Sequence, residues 1–180
     1  MLKHNNNLKK LISVSLGGLN NSQLILTCAK SWQKIKEKSL LEDYKMIIFA
    51  PLFMTDSEFN HLKKEINIIN PKIEFKAFTT DFIDYLSNSS LSISQAGYNT
   101  CMNILEINIP NILIPNLKMS DQLLRSQRLS QLKLTTYLNP ENLNHKLLIK
   151  TILHSISQEI IQHNINLDGA KLTAKITNRL

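Results

Sequence analysis

Six short apolar runs alternate with longer amphipathic stretches along nearly the whole chain, and that alternation constrains the fold more than any single motif. Residues 11–16 (LISVSL), 45–50 (KMIIFA), 73–78, 91–94, 111–114 and 135–138 read as strands, short and apolar enough to be buried on both faces. The stretches between them repeat at helical spacing. Residues 22–38 carry Leu24, Leu26, Ala29 and Trp32, and residues 57–69 carry Phe59, Leu62, Ile66 and Ile69. A single helical segment covers 81–86, a helix follows the fourth strand through 107, and another spans 121–133 with Leu124, Leu129 and Leu132. Residues 145–162 place Leu148, Ile152, Ile156 and Ile160 four apart, and a last helix is expected over 170–178.

Strands that alternate with helices pair in parallel through right-handed crossovers, which cover both faces of one sheet. The expectation is therefore an α/β, Rossmann-like doubly wound parallel sheet of about six strands. Neither an internal repeat nor a linker interrupts the pattern, so residues 1–180 are read as a single domain.

Charge narrows the partners. Twenty-one basic against fourteen acidic residues give +7, which favours phosphate, nucleic acid or an anionic membrane surface. Lys34, Lys36, Lys38, Lys63 and Lys64 are scattered over helical stretches and read as solvated faces. No aromatic-interleaved basic stripe accompanies them, so nucleic acid is not an expected partner. Cys28 and Cys101 form no CxxC or Cys/His ligand set; they read as small buried thiols, with no metal expected and a reducing, cytoplasmic compartment. No apolar run reaches membrane-spanning length and residues 1–10 lack a signal-peptide apolar region, so the chain is expected to be soluble or at most peripheral.

In a doubly wound sheet the ligand lies at the carboxyl ends of the strands, on loops entering the next helices. Two such loops lack bulk: Gly17-Gly18 after the first strand and Ala96-Gly97 after the fourth. Small residues let the backbone approach a ligand, and the amides and dipole of the following helix attract anions. Asn99 and Thr100 would then open a helix facing a phosphate, with Thr100 adding a hydroxyl and Asn103 one turn on, able to reach a sugar hydroxyl. Gly17-Gly18 is neither a GxGxxG nor a P-loop, and a plain tight turn explains it equally well. No general base stands out. His4 precedes the first strand, His61, His145, His154 and His163 fall in predicted helices, and Asp56, Asp81 and Asp84 read as caps or first-turn acids. The catalytic residues stay unassigned.

The run from 78 to 134, FTTDFIDYLSNSSLSISQAGYNTCMNILEINIPNILIPNLKMSDQLLRSQRLSQLKL, resembles the C-terminal, nucleotide-sugar-binding domain of family 28 GT-B glycosyltransferases. That family includes the transferase of peptidoglycan synthesis, which takes N-acetylglucosamine from its UDP conjugate. ISVSLGG near the start and LDGA near the end extend the likeness over most of the chain. The resemblance implies one GT-B half that binds a UDP-sugar donor without a cofactor. By position it implies Gly17 and Gly18 at the interdomain cleft and the Phe82 backbone at the uracil. It places Gly97, Tyr98, Asn99 and Thr100 at the diphosphate and Gln122 at the sugar. Arg125, one turn after Gln122, is either a phosphate contact or a surface charge.

One departure concerns Asn103, where the family usually has a Glu that accepts hydrogen bonds from the ribose hydroxyls. Asn can accept but carries no charge, and charge-assisted bonds are roughly twice as strong. A GT-B enzyme also needs a second half for the acceptor and the base, so the resemblance implies a separate acceptor-binding chain, through which the assembly could meet a membrane peripherally. Two alternatives stand beside this reading: a non-catalytic interaction module that keeps the fold, and an unrelated Rossmann-like nucleotide binder.

Overall fold

The computed structural model describes residues 10–17 and 21–167. Gly18, His4 and the expected helix over 170–178 lie outside the described residues. The elements run β1 Leu11–Ser15, α1 Ser22–Glu37, β2 Lys45–Phe49, α2 Asp56–Ile69, β3 Glu74–Lys76 and α3 Phe82–Ser87. They continue with β4 Leu91–Ser94, α4 Tyr98–Ile107, β5 Asn111–Leu113, α5 Ser120–Gln131, β6 Thr136–Tyr137 and α6 His145–Ser157. The six strands form one sheet in the order β3-β2-β1-β4-β5-β6, and every neighbouring pair is parallel. The doubly wound α/β sheet expected from the alternation is the observed fold.

Strand alternation sorts the core into two layers. Ile12, Val14, Met46, Ile48, Leu91, Ile93 and Ile112 pack on one face against Ile25 and Trp32 of α1, Leu62 and Ile66 of α2, and Leu148 and Ile152 of α6. Ile47, Phe49 and Leu113 point the other way and meet Phe82 and Leu86 of α3, Cys101 and Ile104 of α4, and Leu129 of α5. This second face is more polar at its centre, where Ser13, Ser92, Ser94 and Asn111 are buried. The Ser92 and Ser94 hydroxyls bond each other at 2.7 Å.

Local chemistry sets several ends. Thr55 caps α2 in a reciprocal capping box with Glu58, so Asp56 is a first-turn acid rather than the cap. Asn108 ends α4 in the left-handed conformation at φ 54°, which Asn tolerates better than most side chains. The helix expected to reach 162 stops at Ser157, and Gln158 is already extended. The spacing that continued to Ile160 was overridden by Ser155 and Ser157, poor helix formers, the second of which turns its hydroxyl onto the His154 carbonyl. His163 therefore lies beyond α6, not on it, with Nε2 3.0 Å from the Leu105 carbonyl oxygen on the opposite layer. Among the described residues no helix is long and apolar enough to cross a membrane.

Candidate functional site

β1 and β4 are neighbours, yet the chain leaves β1 toward β2 and leaves β4 toward β5. The loops after β1 and β4 thus part at their carboxyl ends, which opens the crevice where doubly wound sheets take ligands. Both low-bulk loops flagged in the sequence flank this point.

Gly17 is required there on two counts. Its φ is +85°, a conformation that side chains with a Cβ rarely adopt, and an added Cβ would lie 1.7 Å from Oε1 of Gln95. Gln95 thus lies across the first loop from the second. It is only 8% exposed and has no side-chain hydrogen bond to any described residue. Asn21 closes the first loop by donating from Nδ2 to the Leu16 carbonyl at 2.9 Å, and leaves α1 without a side-chain cap. Gln95 and Asn21 line an open cleft of about 320 Å³ with Leu24, Pro115, Asn116 and Lys118. The sequence reading passed over Gln95, Asn21 and Asn116. A long polar side chain directly after a short buried strand was the available signal for Gln95.

α4 begins at the same crevice. Gly97 occupies its N-cap position in an ordinary extended conformation, and an added Cβ would meet only Thr100 Oγ1 at 3.8 Å. The backbone does not demand glycine here; its effect is to leave the space above the first-turn amides open. No side chain caps α4 and no acid lies in its first turn, so its positive end is uncompensated. Asn103 lies one turn after Asn99 (i, i+4) and Thr100 (i, i+3), next to both on the helix surface. Among the described residues none of their side chains has a hydrogen-bond partner. Tyr98 is exposed, and Asn103 is half-buried.

α5 supports the loop from behind. Arg125 donates from Nη1 to the Ala96 carbonyl at 2.5 Å and from Nη2 to Asp121 at 2.9 Å, with its guanidinium 5.6 Å from the Tyr98 ring centroid. These two bonds brace the residue before Gly97, so Arg125 is more than a surface charge. Gln122 accepts the Asn116 N–H through Oε1 at 3.0 Å, which fixes the β5–α5 loop and directs its NH2 group elsewhere. Phe82 buries its ring edge-on against Phe49 at 5.3 Å, so only its backbone at the start of α3 remains for a ligand. On the inner side of α4, burial pushes the Cys101 thiol up to about 11, with Arg125 opposing the shift; Cys28, wholly buried on the inner side of α1, rises to about 12.

The described histidines are occupied locally. His145 Nδ1 lies 3.3 Å from the Ser31 hydroxyl, His154 faces Gln158, and His61 lies 3.8 Å from Glu65 one turn along α2.

No curated protein matches the sequence. Among solved structures, Acinetobacter baumannii MurG matches with a TM-score of 0.77 at 11% identity, covering 99% of this chain and 55% of that one. Os79 from O. sativa, in complex with UDP and deoxynivalenol-3-glucoside, matches at 0.65 and 11%, over 84% of this chain and 34% of that one. The NMR solution structure of ALG13 matches at 0.58 and 19%, over 86% of this chain and 91% of that one. At such identities the likeness is one of fold, and the chain spans about half of MurG and a third of Os79. The glycosyltransferase family 28 C-terminal domain matches residues 12–173, nearly the whole sequence. The chain belongs to that family, and its doubly wound sheet is one half of a GT-B glycosyltransferase fold.

Proposed function

We propose that this domain binds the nucleoside diphosphate of a UDP-sugar along the carboxyl rim of its sheet and serves as the donor half of a glycosyltransferase. The observation that carries the reading is the open start of α4, where an uncapped, acid-free helix end lies beside Asn99, Thr100 and Asn103, whose side chains bond none of the described residues. The diphosphate sits on the amides of Tyr98, Asn99 and Thr100, the ribose lies toward Asn103, and the hexose lies toward the NH2 group of Gln122. The Phe82 backbone meets the base. Os79, which shares the fold, was solved with UDP.

Transfer is a direct displacement. An acceptor hydroxyl attacks the anomeric carbon, the bond from that carbon to the diphosphate oxygen breaks, and the hydroxyl proton passes to a base. Here α4 stabilises the departing diphosphate, since its dipole and amides face the charge that develops. With the described histidines engaged locally, the base and the acceptor pocket come from a second, acceptor-binding chain. ALG13, matched over 91% of its length, offers a domain of similar extent solved by itself. We further infer that the pair works in the cytoplasm, with any membrane contact made through the partner.

Asn103 favours a second reading, an interaction module whose ribose clamp is weakened. Calorimetric titration with UDP, UDP-N-acetylglucosamine and ADP, repeated on Asn103→Glu, separates the two. The donor half requires UDP to bind in preference to ADP and Asn103→Glu to tighten it about tenfold, the worth of one charge-assisted bond over a neutral one. No UDP binding by either protein would leave the interaction module.

A further inference from the structure

We propose that the outer end of the carboxyl rim, formed by the β2–α2 and β3–α3 loops and the first turn of α3, is where the acceptor-binding chain docks, through an apolar surface ringed by Lys and Arg. This rests on the reading of the chain as a donor half. The two loops leave the sheet side by side: Ala50, the first residue past β2, donates its N–H to the carbonyl of Lys76 at the end of β3 at 2.8 Å. Phe49 against Phe82 ties the start of α3 to the same corner. Four large apolar side chains stand out from it: Phe53 at 76% exposure, Leu52 at 55%, Ile83 at 51% and Phe78 at 47%. Single exposed hydrophobics need no explanation, but three on these two loops and a fourth on the first turn of α3 are grounds for an interaction surface.

Charge selects the occupant. Residues 51–58 and 77–84 hold Asp56, Glu58, Asp81 and Asp84 and no Lys or Arg, a local balance of −4 on a chain of +7. Helix starts favour acids, which accounts for their positions. It does not account for the apolar side chains exposed among them. An anionic bilayer would be repelled by this ring, whatever the overall charge of the chain. A symmetric dimer through the same corner would bring two sets of carboxylates together. A different polypeptide with a basic rim and an apolar centre meets both features.

The test places a photo-crosslinking benzoylphenylalanine at Phe53 of the full chain in its own cells, with Ile68, exposed toward the opposite end of α2, as control. The expected result is an adduct with one protein from position 53 and none from position 68. That protein, purified, then binds the chain at least about tenfold more weakly when Phe53→Ser or the pair Asp56→Lys and Asp84→Lys is introduced. UDP titration of the same variants should be unchanged, which keeps this proposal separate from the donor-half reading: a chain that never binds UDP refutes that reading on its own. The docking proposal is overturned by no adduct at position 53, the same adduct at 68, an adduct with a second copy or a phospholipid, or a partner indifferent to the charge reversal.

Discussion

Gly17→Ala tests whether the two loops at the switch point meet as closely as the structure has them. At φ +85° a Cβ brings backbone strain of about 1 kcal/mol. The same Cβ would stand 1.7 Å from Gln95 Oε1 and 2.6 Å from its Cδ, so the carboxamide must swing aside while Gln95 Cβ, at 3.5 Å, can stay. Forcing that side chain off its rotamer adds about 1 kcal/mol. The sum is about 2 kcal/mol, a fall in melting temperature of about 4–8 °C for a domain of this size. Gln95→Ala removes the second contribution and keeps the first. In a double-mutant cycle by urea unfolding, Gly17→Ala should therefore cost about 2 kcal/mol beside Gln95 and about 1 beside Ala, a coupling of about 1 kcal/mol. An equal cost in both backgrounds would refute the close approach of Gln95, and no cost in either would refute the positive φ as well.

Arg125→Met should destabilise the domain by about 1.5–3 kcal/mol, the range for hydrogen bonds to a charged group, and weaken UDP binding by loosening the loop that Arg125 braces at Ala96. Thermal melts and calorimetry read the two effects, and Arg125→Lys should rescue neither, because one ammonium cannot replace a fork spanning Ala96 and Asp121 over the Tyr98 ring. The buried thiols predict a pH limit. Cys28 and Cys101 are raised from 9.0 to about 12 and about 11, so above pH 9 the unfolded chain releases protons that the native one keeps. Their contribution is complete below pH 9 and lost as pH rises toward those values, by about 1.4 kcal/mol per pH unit for each thiol. Urea unfolding at pH 8, 9 and 10 in Cys28→Ala against the parent chain should show the slope reduced in the variant. Native thiols should also resist alkylation at pH 8.

The order of strands and helices was legible because buried parallel strands leave an unbroken apolar signature, as in MIIF of β2, and helices leave a 3.6-residue one, as in α1 from Leu24 to Trp32. What was not legible depended on neighbours distant in sequence. The requirement for Gly17 comes from Gln95, a residue on another loop, and a glycine pair after a strand says nothing of that. The role of Arg125 is set by a carbonyl 29 positions earlier. The end of α6 was misplaced because apolar spacing outlasted the helix, while serine chemistry decided it. Gly97 shows the converse case. Its place after a short buried strand marked the loop, yet the backbone there is one any residue adopts, so its meaning lies in the space it leaves.

The distribution of charge around α4 leads to a last expectation. Residues 95–107, the β4–α4 loop with the whole of α4, contain no Lys or Arg, and the nearby cation, Arg125, is bound to Ala96 and Asp121. On the proposed reading, no Lys or Arg of this loop or helix therefore faces the diphosphate. What does is a helix end worth about half a positive charge, together with amides and neutral side chains at hydrogen-bond range. Fixed charges at a distance are screened by salt, with a Debye length of about 10 Å at 0.1 M and about 3 Å at 1 M, whereas direct amide contacts are not. UDP affinity measured by calorimetry should accordingly fall by less than roughly threefold between 0.1 M and 1 M salt, since short-range contacts lie inside even the smaller screening length. A fall of tenfold or more would mean that a mobile cation reaches the phosphates. Lys118, on the adjoining cleft, is the residue to suspect, and Lys118→Met would then flatten the dependence. A shallow dependence retained in Lys118→Met would leave the helix end as the element that holds the anion, and would explain how a family member can keep its donor loop free of basic residues.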